Sequence, residues 1–349
     1  MSESVDEIMT RCPLKQEVRA TLWEPFIRAV AGRQPLHSYL TLYSPPMMDI
    51  KHLCRRGLLR FDGESFPGVI AITYNRHHYA AALAQSSGRP EILLYGDIDD
   101  LITSETSEDA KRLRQRFPMQ AINLDYTNSL FGQANVQPIS DHLAAVEEII
   151  RLQHRHNAQE FVLLLTTRAE RSKRPGCDQF TRDFLNDLAQ RVDENIMHHT
   201  DFRSSFEKTF GRVSGDGLLR RDYAVFVPIG LSKLICQMLA QHSFELAEID
   251  GRVLERNKKP PIRWLLHLAL RVRPAIAPRA RRLSTLGRSG GLFERHLAGF
   301  IEQVGAGELA WINEKDDHDR LNARYGSYVG KLASQTLDLK IPEAERRST

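Results

Sequence analysis

The chain of 349 residues is 42% apolar and 26% charged, with a net charge of +4, which supports a large folded core and excludes a disordered or low-complexity chain. Its four cysteines, Cys12, Cys54, Cys177 and Cys236, stand far apart with no C-x-x-C pair, which argues against a zinc ribbon or a secreted disulfide framework. The N-terminus is acidic and lacks the order of a signal peptide, and no apolar run reads as long enough to span a bilayer, so the expected location is the cytoplasm.

Apolar Val18, Leu22, Phe26 and Val30 recur every four residues and predict a helix over 8–31, closed by the stretch Gly32 to Pro35. Short apolar runs then alternate with helical stretches. "LHSYLTLYS" (36–44) ends at Pro45-Pro46 and precedes the helical "MMDIKHLCRRGLL". "GVIAITYN" (68–75) and "EILLYGD" (91–97) are followed by helices near 80–85 and 107–116. A fourth run lies in "MQAINLDYTNSLFG" (119–132). A helix with the stripe Leu143, Val146 and Ile150 leads to a fifth, "FVLLLTT" (161–167). Five strand–helix units in order imply a doubly wound, mostly parallel sheet.

The pattern then changes. After a basic turn at 168–175, two long helical segments are expected, 178–210 and 223–242. Two extended segments joined by "NKKPP" then read as an antiparallel hairpin on the sheet edge. Beyond Pro274 a Pro-, Gly- and Arg-rich stretch reads as a linker, followed by a helix near 292–304 and a polar tail. The domains expected are an N-terminal helical segment (1–35), an α/β domain (36–273, with a helical insertion at about 178–242) and a linker with a C-terminal helical extension (274–349).

This order of elements over residues 36–273 resembles the Rossmann-like class I S-adenosylmethionine-dependent methyltransferase fold. Three stretches carry the resemblance. "YGDIDDLI" is similar to the family's third motif, which implies that Asp97, with Ile98 beside it, meets the adenine of the cofactor. "INLDYTNSL" resembles the fourth motif, in particular the "DLDPFGSP" segment of tRNA guanine methyltransferases, and implies catalytic roles for Asp125 and Tyr126. "YLTLYSPP" falls where the first, cofactor-binding motif belongs, so that Tyr43 and Ser44 would line the cofactor and Asn75, ending the second strand, would hold its ribose. The implied cofactor is S-adenosylmethionine.

The sequence departs from the family in three places. No glycine follows the first strand, Asn75 stands where an acidic residue is usual, and Tyr126, Thr127 and Asn128 replace Pro, Phe and Gly. In base methylation a carboxylate at the fourth motif accepts a hydrogen bond from the target amino group while an aromatic ring stacks on the flipped base. The alternative for Asp97 and Asp125 is local: each carboxylate caps the helix or turn that follows it.

Base excess is C-terminal. Residues 1–150 carry 15 Lys+Arg against 19 Asp+Glu, and Arg252 to Arg288 hold eleven basic residues with Glu255 the one acid. Either this is a solvated surface or Arg271, Arg273, Arg279, Arg281, Arg282 and Arg288 contact nucleic acid. A protein partner is the other reading for this region. The histidines lack the i, i+4 spacing of a helical zinc pair, and no phosphate-binding loop or hydrolase motif occurs, so no metal is expected. Two functions stand: methyl transfer to nucleic acid, or a methyltransferase-like binding or regulatory module without catalysis.

Overall fold

The structure is a computed structural model that describes residues 13–43, 45, 47–84, 88–126, 130, 141–169, 178–256, 262–275, 291–305, 310–313 and 318–326. One eight-stranded sheet organises it, in the order β3-β2-β1-β4-β5-β7-β6-β8. β1 (Tyr39–Leu42), β2 (Ser65–Thr73), β3 (Arg89–Tyr95), β4 (Ala121–Asp125) and β5 (Phe161–Arg168) are parallel. β6 (Phe244–Arg256) and β7 (Ile262–Pro274) form the hairpin, and β7 inserts antiparallel between β5 and β6. The strand order and the antiparallel β7 are those of the class I methyltransferase fold that the element pattern implied. Chain direction across the sheet reverses between β1 and β4, and the crevice at the carboxyl ends of those strands is where doubly wound folds bind ligands.

Strand residues alternate between two cores. Ile122, Leu124, Leu163 and Leu165 face one, while Ala121, Val162 and Leu164 face the other. Both faces are therefore covered at β4 and β5, which is why these central strands read as near-continuous apolar runs, while edge strand β3 alternates exposed and buried residues. Helices α1 (Pro13–Val18) and α2 (Glu24–Ala31), joined by a π-helical turn at Arg19–Trp23, and α3 (Met48–Arg55) cover the second face with Leu22, Trp23, Phe26 and Ile50. The first face carries α5 (Ile98–Thr103), α6 (Glu108–Arg114), α7 (Asp141–Arg155) and the inserted helices, whereas α4 (Arg76–Leu83) sits lightly on the β2–β3 edge with Ala82 its one buried residue.

The insertion differs from the sequence reading. The expected single helix over 178–210 breaks at His199 into α8 (Asp178–His198) and α9 (Thr200–Phe210), because His199 takes extended backbone angles (φ −123°, ψ 107°). A further short helix, α10 (Gly215–Arg221), precedes α11 (Tyr223–Gln241). By length and composition α11 could cross a membrane, contrary to the expectation that no run is long enough, but most of its apolar window is buried in the core. The C-terminal region is also not a separate tail. α12 (Gly291–Gly305) buries Leu297, Phe300, Ile301 and Val304 in the first core, and β8 (Ala310–Asn313) pairs parallel with β6, so the hairpin is not the sheet edge. Leu321 and Tyr325 pack in the second core with the N-terminal helices.

Gly68 marks a bulge in β2, where the register with β3 shifts between Phe66 and Ile70. Its φ of +77° favours glycine, and a Cβ there would lie 2.1 Å from the carbonyl oxygen of His37. Gly68→Ala is expected to destabilise the protein by more than about 3 kcal/mol, since backbone must shift as well as adopt a strained angle. Urea denaturation checks this, and a loss under 1 kcal/mol would contradict it.

Candidate functional site

The site is built where the strands end. β1 leads into Tyr43, whose N–H donates to the Ile72 carbonyl (2.7 Å) and whose side chain is buried in the second core. The turn to α3 passes through Met47 in the left-handed conformation (φ 56°), a shape for which glycine is the usual residue. The Met47 side chain is buried in the same core, so neither Tyr43 nor Met47 projects freely from the turn. Ser44 lies outside the described residues. Under the turn, Asp49 Oδ2 accepts from Tyr39 (2.9 Å) and Thr41 (2.7 Å), which fixes α3 to β1. Burial raises the Tyr39 phenol well above its ordinary pKa, and the Asp49 charge adds to this.

At the end of β3 the capping alternative for Asp97 is realised, and at the end of β2 Asn75 also proves to be a helix cap, which the sequence reading did not include. Asn75 Oδ1 accepts from the His77 and His78 N–H groups and caps α4, leaving its amide NH2 as the group it can offer a ligand. Asp97 Oδ1 accepts from the Asp99 N–H (3.0 Å) and caps α5, while the residue stays exposed. Desolvation raises the Asp97 pKa above the usual carboxylate range, and the charges of Asp99 and Asp100 contribute. The Ile98 side chain is buried in the first core, so a ligand would meet its backbone.

The end of β4 differs most from a solvent-facing acid. Asp125 Oδ2 forms an ion pair with Lys15 of α1 at 2.7 Å, with side-chain exposures of 21% and 8%. Burial pushes its pKa up, but the Lys15 ammonium more than offsets this and holds it below the ordinary value. Oδ1 has no hydrogen-bond partner among the described residues. In register with Asp125, Thr166 on β5 stands opposite His267 on β7, and the two side chains are hydrogen-bonded at 2.8 Å. Full burial holds His267 neutral, its pKa lowered to about 3. Trp23 meets that imidazole edge-on, with ring centroids 6.1 Å apart.

Tyr126 turns to the opposite face of the sheet. It is 5% exposed, and its hydroxyl donates to Asp99 Oδ1 at 2.9 Å. Burial, then the Asp99 charge, raises its pKa far above normal. Its ring lies 4.3 Å from that of His142 at the start of α7. As it stands, Tyr126 therefore packs against an imidazole and not on an exposed surface. Lys15, Asp99, His142 and His267 were not singled out from the sequence. Only Asp99, inside "GDIDD", and His142, at a helix start, carried a local signal.

The six arginines are not one group. Arg271 pairs with Glu160 (2.9 Å) and Glu248 (3.0 Å), and Arg273 with Glu245 (2.6 Å), so these two brace the β5–β7–β6 strands. Arg279, Arg281, Arg282 and Arg288 lie outside the described residues. Among the described residues, no three His, Cys, Asp or Glu side chains are grouped to hold a metal ion.

Among solved structures, the chain is similar to M. jannaschii TYW2 in complex with AdoMet, at 9% identity over 72% of this chain and 75% of that one, with a TM-score of 0.32. It is also similar to the plantazolicin methyltransferase BamL in complex with a triazolic desmethylPZN analog and SAH, at 11% identity over 74% of this chain and 85% of that one, with a TM-score of 0.32. At such scores the fold assignment rests on the strand order and not on these likenesses. No curated protein matches the sequence. The family described as PP_RS20740-like matches residues 92–275, more than half of the chain and including β4, β5, the insertion and the hairpin, and the chain belongs to that family.

Proposed function

We propose that the protein binds S-adenosylmethionine at the carboxyl ends of β1 to β4 and transfers its methyl group to a nucleic acid. The observation that carries this is the gathering of Asn75, Asp97 and the Asp99–Tyr126–His142 group at neighbouring strand ends beside the switch point. The residues fit the cofactor. The Asn75 amide suits a ribose hydroxyl, and exposed Asp97 with the Ile98 backbone suits the adenine. The left-handed turn at Met47 keeps a glycine-like backbone shape beside the N-terminus of α3, which lacks a side-chain cap. When bound, the cofactor supplies an electrophilic methyl group on a sulfonium. The resemblance assigns the acceptor amino group to the end of β4, where Asp125 Oδ1 is enclosed and has no partner among the described residues.

Asp97→Ala is expected to raise the dissociation constant for S-adenosylhomocysteine about 5- to 30-fold, and to lower stability by about 1 kcal/mol through loss of the cap. Calorimetry with parallel denaturation checks both. Loss of binding only in proportion to unfolding would leave Asp97 as a cap alone.

The nucleic-acid acceptor is supported by the basic run, with Arg279, Arg281 and Arg282 now its best candidates because Arg271 and Arg273 are paired. Neutralising those three together should flatten the log–log salt dependence of RNA and DNA binding by roughly two to three units. Identical slopes would assign the run to a solvated surface.

A second reading keeps one specific observation: the glycine-free turn with Tyr43 and Met47 buried, next to an Asp125 already paired with Lys15. These favour a methyltransferase-like binding or regulatory module contacting nucleic acid or a partner protein. Absence of S-adenosylmethionine and S-adenosylhomocysteine binding at millimolar concentration would select it.

A further inference from the structure

Asp99 is 5% exposed, and both of its oxygens are engaged. Oδ1 receives the Tyr126 hydroxyl, and Oδ2 meets His142 Nδ1. The other imidazole nitrogen, Nε2, reaches no solvent and has no hydrogen-bond partner among the described residues. A buried polar atom left unbonded costs about 1–3 kcal/mol, so it asks for a reason. A carboxylate that receives Nδ1–H fixes the tautomer whose Nε2 lone pair is free, and tilted packing against the Tyr126 ring, with centroids 4.3 Å apart, restrains the ring plane.

The group joins three segments that are distant in sequence: the first turn of α5, the residue after β4 and the first turn of α7. The imidazole thus stands between the strand end assigned to adenine and the strand end assigned to the acceptor.

We propose that His142 Nε2 takes the proton from the methyl acceptor, with Asp99 and Tyr126 as its positioning residues; this rests on the methyl-transfer reading above. The acceptor is then a protonated nucleophile, an amino or hydroxyl group, and not a ring nitrogen lacking hydrogen. Its lone pair forms the bond to the methyl carbon as the carbon–sulfur bond breaks onto sulfur. Its proton passes to Nε2, and the imidazolium so formed is balanced by the Asp99 carboxylate.

The test uses full-length protein labelled with 15N-histidine. Long-range proton–nitrogen correlation at pH 7.5 is expected to show His142 as the Nδ1–H tautomer, and Asp99→Asn is expected to abolish that preference. A ring protonated at Nε2, alone or with Nδ1, would overturn the proposal. In parallel, His142→Gln should bind S-adenosylhomocysteine within threefold of wild type. It should lower single-turnover methyl transfer from tritiated S-adenosylmethionine to unfractionated tRNA at least 100-fold, with added imidazole restoring part of the rate in His142→Gly. Undiminished transfer in His142→Gln would also overturn it. A wild-type protein that binds no S-adenosylhomocysteine would instead sink the methyl-transfer reading, and the tautomer would still decide whether His142 is a poised proton acceptor.

Discussion

Replacing Lys15 with Met is expected to lower the unfolding free energy by about 3 kcal/mol. The reason is the position of Asp125. Its carboxylate is largely enclosed, and its Oδ1 has no hydrogen-bond partner among the described residues, so removing the ammonium leaves a charge offset only by the weaker influences of His267 and Arg19. Asp125→Ala is expected to destabilise for the reciprocal reason, leaving an ammonium only 8% exposed. The double variant Lys15→Met, Asp125→Leu should recover most of the loss, because an apolar pair of similar volume replaces a buried ion pair at little net cost. Urea denaturation of the three variants gives the comparison. A Lys15→Met protein as stable as wild type would show that α1 is not anchored at the end of β4.

The second large effect is on acid stability. His267 has its folded pKa lowered to about 3 and His52 to about 4, in both cases chiefly by burial. The unfolded chain titrates these groups near about 6.5, so below that pH it binds protons that the folded chain refuses. Their stability contribution is complete above about pH 6.5 and is lost as the pH falls toward the folded values. Between pH 7.5 and pH 5 the loss comes to about 2 kcal/mol for each histidine. Asp125 acts in a different window. Its depressed pKa adds stability that disappears only below about pH 4. Urea midpoints at pH 7.5, 6 and 5 should therefore fall steadily, and His267→Gln should reduce the slope whatever it does to absolute stability. A midpoint independent of pH over this range would contradict the buried neutral state of both histidines.

The central strands were legible because they are buried on both faces and read as compact apolar runs with turn residues after them, whereas edge strand β3 alternates exposed and buried residues. "FVLLLTT" and "AINLD" are the clearest cases, matching β5 and β4. Long helices were legible where period and length agreed, as in α11, whose expected end at His242 lies one residue beyond the observed Gln241. What failed has physical causes. The break at His199 rests on backbone angles that no glycine or proline signals. β8 is four residues long and owes its place to pairing with β6, a contact that no local pattern encodes.

The same distinction applies to the candidate site. Asp97 is a strand-end residue whose cap depends on a neighbour two positions away, so its placement was readable, whereas the equally local cap made by Asn75 was missed. The partners of Asp125 and Tyr126 were not, because Lys15 is 110 positions from Asp125 and Asp99 is 27 from Tyr126. A carboxylate and a phenol at the end of a buried strand read alike whether they face solvent or two buried networks. Only the fold brings α1 over one side of β4 and α7 over the other.

The most direct test of the central claim is ultraviolet crosslinking of tritiated S-adenosylmethionine to the full-length protein, followed by peptide mapping. Label is expected in peptides that contain Asn75, Asp97 or Tyr126, and unlabelled S-adenosylhomocysteine should suppress it. Label confined to other segments, or label that the competitor does not displace, would contradict a cofactor site at the carboxyl ends of β1 to β4.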